Sequence, residues 1–259
     1  MSFMPQNQTT SIATHTNEDI YIRDKSLCQE LIGKLTFTQM LFFQILGRVP
    51  TEGETTMVDA CLVTLMEHGL TPSAIATRMI YSSAPEAMQA GVAAGLMGVG
   101  SVFVGTMEGN AALIERMLNS EAGVEAEALT IAKEFRSERK PLPGFGHHMH
   151  KPDDPRPIRL FTIAEEHAMT GPHIKALKAL SAAIDEVYGK HITINATGAI
   201  AAVLGDCGVP AEIMRGFALI TRCAGLVGHV HEEQSKPAMR VMWETSEHAV
   251  AYDGKIGSE

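Results

Sequence analysis

Histidine and arginine carry the chemistry legible in this chain, and they gather in three segments. The first is Pro141-Leu142-Pro143-Gly144-Phe145-Gly146-His147-His148-Met149-His150, running on to Asp154-Pro155-Arg156. Gly144 and Gly146 let backbone N–H groups approach a ligand closely. His147 titrates near neutral pH beside that backbone, and Arg156 is a fixed fork for a carboxylate. The same composition also suits a plain Pro/Gly loop with surface histidines. His147, His148 and His150 lie near one another, but no spaced Cys or Glu joins them, so no metal is expected.

The second segment is Asn195-Ala196-Thr197-Gly198, followed by the stretch Arg222 to Glu233. Arg222 and His229 are two helical turns apart, so both can face one side. An Arg and a His on an apolar helix need partners or a ligand. The third is Glu67-His68-Gly69, at a helix end beside Thr71 and Ser73. Taken alone, His68 reads as a helix C-terminal cation favoured by the dipole.

Helical periodicity dominates the elements that must position these groups. Pro50-Thr51 with Glu54 predicts a capping box, after which Met57, Cys61, Leu65 and Met66 recur at helical spacing until Gly69. Pro85-Glu86 predicts a helix through Met88, Val92, Leu96 and Met97. Ile174, Leu177, Leu180, Ile184 and Val187 mark one amphipathic face, and a further helix is predicted from Val209-Pro210 toward Leu226. Ile20-Tyr21-Ile22 is a candidate short strand. The loop from Pro141 to Pro157 is the main break. Many helices and few strand signals predict an all-α fold.

With 259 residues, 45% of them hydrophobic and 20% charged, the chain is long enough for a sizeable core and is neither disordered nor fibrous. A net charge of -9 argues against nucleic acid or an anionic membrane as partner. The four cysteines, at 28, 61, 207 and 223, form no CxxC pair, which suits reduced thiols and a cytoplasmic setting. The first eighteen residues are polar and lack a signal-peptide pattern.

Together the three segments resemble the citrate synthase superfamily. Pro-Gly-Phe-Gly-His147 with Asp154-Pro155-Arg156 is similar to that family's CoA and oxaloacetate loop. Glu67-His68-Gly69 resembles its Asp-His-Glu/Gly motif. Arg222 to His229, continuing into Glu232-Glu233-Gln234, resembles its Arg-x-x-Gly-x-x-x-His-x-x-Glu-Gln stretch. Leu35 to Glu54 resembles its helical entry, so the likeness spans about residues 20 to 245.

The resemblance implies an all-α fold with a large domain (19–108 and 226–259) and a small domain (109–225), preceded by a polar tail at 1–18. The active site would lie in the cleft. It implies no bound cofactor, with a coenzyme A ester as substrate alongside a dicarboxylate. A homodimer, paired through the small-residue helix near 85–100, is expected.

By the same resemblance, His147 would hydrogen-bond the substrate hydroxyl. His68, Arg156 and Arg222 would hold carboxylates, with Lys236 where the family has another Arg and Arg240 compensating. Asn195 and Thr197 would line the acyl end. Leu142, Gly144, Phe145 and Gly146 would carry the CoA adenine and pantetheine, with Lys140 near a phosphate. His229 and Glu108 are candidates for proton transfer, though Glu108 equally suits a helix N-terminus.

One departure sets the branch, and a second bears on the mechanism. Where citrate synthases have the catalytic His of Gly-Pro-Leu-His-Gly-Gly-Ala-Asn, this chain has Glu108, and the citryl-CoA lyase module of ATP-citrate lyase also lacks that His. Short length favours the lyase branch too. Both branches have Asn-Val-Asp-Gly where Asn195-Ala196-Thr197-Gly198 stands here, and a threonine is no general base at neutral pH. The expected function is therefore citryl-CoA (or related 2-hydroxy acyl-CoA) cleavage to acetyl-CoA and oxaloacetate. The alternatives are a condensing enzyme of citrate synthase type, or a catalytically weakened relative that binds the same ligands as sensor or accessory subunit.

Overall fold

Threonine caps punctuate the chain much as the capping-box pattern predicts. In the computed structural model, which describes residues 9–254 apart from 101 and 103, α1 (Phe37–Leu46) starts at Thr36 and α2 (Glu52–Met66) at Thr51. Glu54 closes the second box by accepting from the Thr51 N–H at 2.8 Å. Arg48 clamps the same carboxylate at 2.6 and 2.9 Å and, by that hydrogen bonding, holds its pKa at about 2.

Helices follow in the order α3 (Pro72–Ser83), α4 (Met88–Met97), α5 (Thr106–Leu118), α6 (Val124–Glu138), α7 (Pro155–Glu166) and α8 (Pro172–Tyr188). Then come α9 (Ala196–Asp206), α10 (Met214–Ser235) and α11 (Met239–Ala249). The fold is all-α. Its strands among the described residues form one small antiparallel sheet, β1 (Ala13–His15), β2 (Ile20–Ile22) and β3 (Lys25–Ser26), with Thr14 opposite Tyr21. The predicted strand at Ile20 is β2. Its neighbour β1 lies in the stretch expected as polar tail, because exposed polar residues can pair through backbone groups alone. Residues 1–8 of that tail lie outside the described residues.

Two boundaries move. The helix expected from Pro85-Glu86 begins at Met88, since the Ala87 N–H closes a turn onto the Ala84 carbonyl at 3.0 Å. The helix expected to end near Leu226 runs nine residues further, because Val230 and Glu233 still have buried places to fill. With a preceding turn at 211–213, α10 is long and apolar enough to cross a membrane. Here it buries Phe217, Ala218, Leu226 and Val230 against protein and carries Arg222 and Glu233 inside, as a core helix does.

Burial falls into two clusters. The larger runs from Phe42 and Met57 through Met107, Ile131, Leu177 and Ile200 to Phe217, so it draws on both domains expected from the sequence. The smaller joins Ala74, Tyr81 and Val92 of α3 and α4 to Leu226 and Val230 of α10. Helix α10 belongs to both, its first half in one and its second in the other. Arg222 sits between the two halves.

Candidate active site

A cleft of about 690 Å³ opens where the ends of these helices meet. The turn after α2 contributes His68, the start of α3 Thr71 and Ser73, and the start of α5 Thr106. The Pro141–Met149 loop, Arg156 of α7, Asn195 and Thr197 of α9, and Arg222 of α10 complete the wall. The structure thus brings His68, Leu142, Gly144, Phe145, Gly146, His147, Arg156, Asn195, Thr197 and Arg222 together.

Close backbone approach shapes the loop. Gly144 has φ +82°, and a Cβ there would lie 2.6 Å from Asn110 Nδ2 and 2.8 Å from Gly198 Cα. Only glycine fits such a site. The Gly144 carbonyl accepts from the Asn195 N–H at 3.0 Å, and the Gly146 N–H donates to Thr193 at 2.8 Å. The Gly146 donor expected to face a ligand is therefore consumed inside the protein, because the loop pairs with residues 193–195 in a local bridge.

His147 has its proton placed by the same loop. Its Nδ1 accepts from the backbone N–H groups of Met149 (3.2 Å) and His150 (3.0 Å). The neutral ring must then carry its hydrogen on Nε2, as a donor. Burial, with His150 and Arg156 nearby, pushes its pKa below the usual value. Burial likewise lowers His68, helped by Arg156, His150 and Arg222. The two rings meet edge to face, centroids 5.9 Å apart. At neutral pH both are uncharged.

The histidine cluster differs from the one suggested by sequence. His68, His147 and His150, rather than His148, bring ring nitrogens within 4.8 Å of one another. They do not fit a metal. His147 Nδ1 is occupied by two N–H donors and Nε2 holds the proton, so no lone pair is left to ligate. His150 also lies stacked on His147, centroids 4.4 Å apart and planes 26° apart.

Arg156 is held in place by a carboxylate on its Nε and Nη2 side. Asp154, 1% exposed, caps α7 and grips the Arg156 Nη2 at 2.7 Å. Arg222 has no such partner. It is 7% exposed, its Nη1 is buried without a hydrogen bond, and burial lowers its pKa. A buried guanidinium facing a cleft with an unmet donor is an anion site.

At the other end of the cleft, Asn195 Oδ1 caps α9 by accepting from Thr197 N and Gly198 N, and Asn195 Nδ2 donates to Gly146. Thr197 gives its one hydroxyl proton to the same Oδ1 at 2.7 Å, so Thr106, 2.8 Å away, must donate to Thr197. Neither hydroxyl has a proton left for a ligand.

Five expected site residues lie elsewhere. Glu108 does not line the cleft, since Arg215 of α10 holds its carboxylate in an ion pair. His229 is packed between Arg78 Nε, which donates to its Nδ1 at 3.0 Å, and Glu67 Oε2, 2.9 Å from its Nε2. Lys140 is exposed and pairs with Glu138 at 2.6 Å. Lys236 and Arg240 fall beyond α10, where the chain has turned away, and Arg240 pairs along α11 with Glu244 at 2.9 Å. Spacing along a helix names a face but not what the face meets.

Three contributors escaped the sequence reading. Thr106 carries no motif. Asp154 was read only as part of its Asp-Pro-Arg motif, although Asp before Pro at a helix start is a cap signal. Arg78 falls on the buried face Ala74-Thr77-Arg78-Tyr81, and a charge at that spacing announces a partner.

These features define a class, an all-α protein whose cleft presents a buried, unpaired guanidinium beside two uncharged imidazoles. The chain belongs to the citrate synthase family, whose C-terminal domain profile matches residues 9–242. It is citrate synthase-like, of the citryl-CoA lyase type. The citryl-CoA lyase of Hydrogenobacter thermophilus is 35% identical with a TM-score of 0.87, and the match covers 98% of this chain and 97% of that one. The ATP citrate lyase of Methanothrix soehngenii, solved with citrate and coenzyme A, has a TM-score of 0.77 at 19% identity, over 98% of this chain and 42% of that one. The putative citrate synthase 2 of Mycobacterium tuberculosis is 28% identical over 181 residues, 68% of this chain and 47% of the relative. The chain spans about half the length of the curated relatives it matches.

Proposed function

We propose that the protein is a carbon–carbon lyase that cleaves citryl-CoA, or a related 2-hydroxy acyl-CoA, to acetyl-CoA and oxaloacetate. The observation that carries this reading is Arg222, a buried and unpaired cation opening on the cleft that also holds the fixed Nε2–H of His147. Arg222 binds a substrate carboxylate, and Arg156, steadied by Asp154, takes a second. His147 donates to the tertiary oxygen.

Cleavage requires the hydroxyl proton to leave as the C–C bond breaks. The bonding pair passes to the thioester as an enolate, and the oxygen becomes the oxaloacetate carbonyl. His68 is the neutral base available for that proton, and His147 steadies the oxygen throughout. The enolate carbon then takes a proton from water, because Thr197 and Thr106 have none to give. Coenzyme A lies along Leu142 to Gly146. No metal or bound cofactor takes part. The protein works as a cytoplasmic homodimer whose large and small domains close on the ligand and exclude water.

Thr197 favours a second reading, a relative that binds these ligands without turning them over. Incubating the purified protein with citryl-CoA separates the two. Release of acetyl-CoA and oxaloacetate above the uncatalysed rate supports the lyase, and tight binding without release supports the second.

A further inference from the structure

We propose that His229 is a positioning residue, holding Glu67 off Arg222 so that the guanidinium stays open to a substrate carboxylate. The proposal rests on the reading that the cleft takes a carboxylate ligand, and deepens it.

Arg222, Gly225 and His229 share one face of α10. Gly225 is where that face touches the end of α2: an added Cβ would run into the Met66 carbonyl and come within 3.3 Å of Glu67 Oε2. Glu67 thus lies between the turn that carries Arg222 and the turn that carries His229. Its charge acts on Arg222, yet among the described residues the two form no ion pair. A carboxylate whose charge acts on an unpaired buried cation is drawn toward it. Two backbone donors and one imidazole contact restrain it. Glu67 Oε1 accepts from the N–H groups of His68 (2.8 Å) and Gly69 (2.7 Å), while Oε2 faces His229 Nε2 at 2.9 Å.

The direction of the His229 donor is set from behind. Arg78 Nε donates to Nδ1, so the ring hydrogen sits on Nε2, which lies 2.9 Å from Glu67 Oε2 without the alignment of a hydrogen bond and acts on it as a close electrostatic contact. Arg78 is 3% exposed and held by Glu233 at 2.8 Å and by Glu232. A buried ion pair is thereby spent on orienting one imidazole. Without that imidazole, Oε1 keeps its backbone tethers, Oε2 loses its 2.9 Å contact, and the unpaired Arg222, one turn from Gly225 on the same face, draws the freed oxygen. The resulting pair would compete with substrate.

Four variants test this: His229→Leu, His229→Gln, Glu67→Gln and the double variant His229→Leu/Glu67→Gln. Gln at 229 offers an amide oxygen to Arg78 and an N–H to Glu67, and Gln at 67 still accepts from the two backbone groups. Two readouts apply, oxaloacetate affinity by calorimetry and the rate of Arg222 modification by phenylglyoxal, mapped by peptide mass. His229→Leu should weaken oxaloacetate at least about tenfold and slow Arg222 modification. His229→Gln should stay within about threefold of wild type, and the double variant should recover both readouts. A packing role alone would not be relieved by neutralising Glu67. The proposal is overturned if His229→Leu leaves both readouts unchanged, or if the double variant stays as impaired as His229→Leu. Should wild type not bind oxaloacetate at all, the functional reading fails, while the phenylglyoxal series still decides the role of His229.

Discussion

Thr197 Oγ1 donates to Asn195 Oδ1 at 2.7 Å, and that single bond removes the hydroxyl from proton chemistry in the cleft. Where the family resemblance implies an aspartate, this chain has a hydroxyl whose proton is already committed. A positioned base contributes roughly 10²- to 10⁴-fold, so wild type should condense acetyl-CoA with oxaloacetate weakly or not at all. Thr197→Asp should raise deuterium exchange at the acetyl-CoA methyl, followed by mass spectrometry. Rapid exchange by wild type would mean another residue supplies the base.

Arg222 is held at the expense of the free protein. Replacing a buried unpaired cation with a similar apolar chain relieves its desolvation, so Arg222→Met should melt at a higher temperature than wild type without ligand. It should also lose about 2 to 5 kcal/mol of substrate binding, as a charge-assisted carboxylate contact does. His147→Ala and Arg156→Ala should weaken oxaloacetate in the same direction. Calorimetry and thermal melts read both effects, and an Arg222→Met protein that binds normally would remove the anion site.

The pH profile has two limbs with different owners. His68 and His147 have pKa values below the usual 6.5, so both stay neutral until the pH falls through those lowered values. kcat/KM should fall there as the base is protonated. On the alkaline side, His191 bridges Asp185 (2.6 Å) and Asp153 (2.9 Å), and those carboxylates raise its pKa. Its contribution is full below the unfolded value of about 6.5 and is lost as pH rises through the higher folded value. Amides of residues 147–154 should then exchange with solvent faster at alkaline pH, and His191→Gln should remove that pH dependence. Exchange rates in this loop that follow only the intrinsic base catalysis would contradict the tie.

Gly144→Ala should damage the cleft more than its size suggests. The added methyl meets Asn110 and Gly198, and φ +82° strains any residue with a side chain, a cost of order 1–3 kcal/mol. Melting temperature and oxaloacetate affinity should fall together. Unchanged affinity would show that the loop has room to shift.

The parts of the site that sequence made legible are those written into local chemistry. The capping box at Thr51 and Glu54 and the close backbone approach at Gly144 each have one local solution, and the structure adopts it. Residues that depend on what lies across the fold were not legible. Arg222 and His229 share a face, yet one meets open cleft and the other meets Glu67, a distinction only tertiary packing makes. Sequence offers Glu108 as a proton-transfer candidate or a dipole partner; it does fall in the first turn of α5, and Arg215, far along the chain, decides its contact. Lys236 and Arg240 were placed by motif, and the two extra turns of α10 carry them away.

Direct incubation of the wild-type protein with citryl-CoA, with acetyl-CoA and oxaloacetate followed by mass, bears hardest on this account. It predicts that both products appear together in equal amounts above the uncatalysed rate, and that Arg222→Met abolishes their release. Citryl-CoA that persists unchanged, or cleavage that Arg222→Met leaves intact, would contradict it.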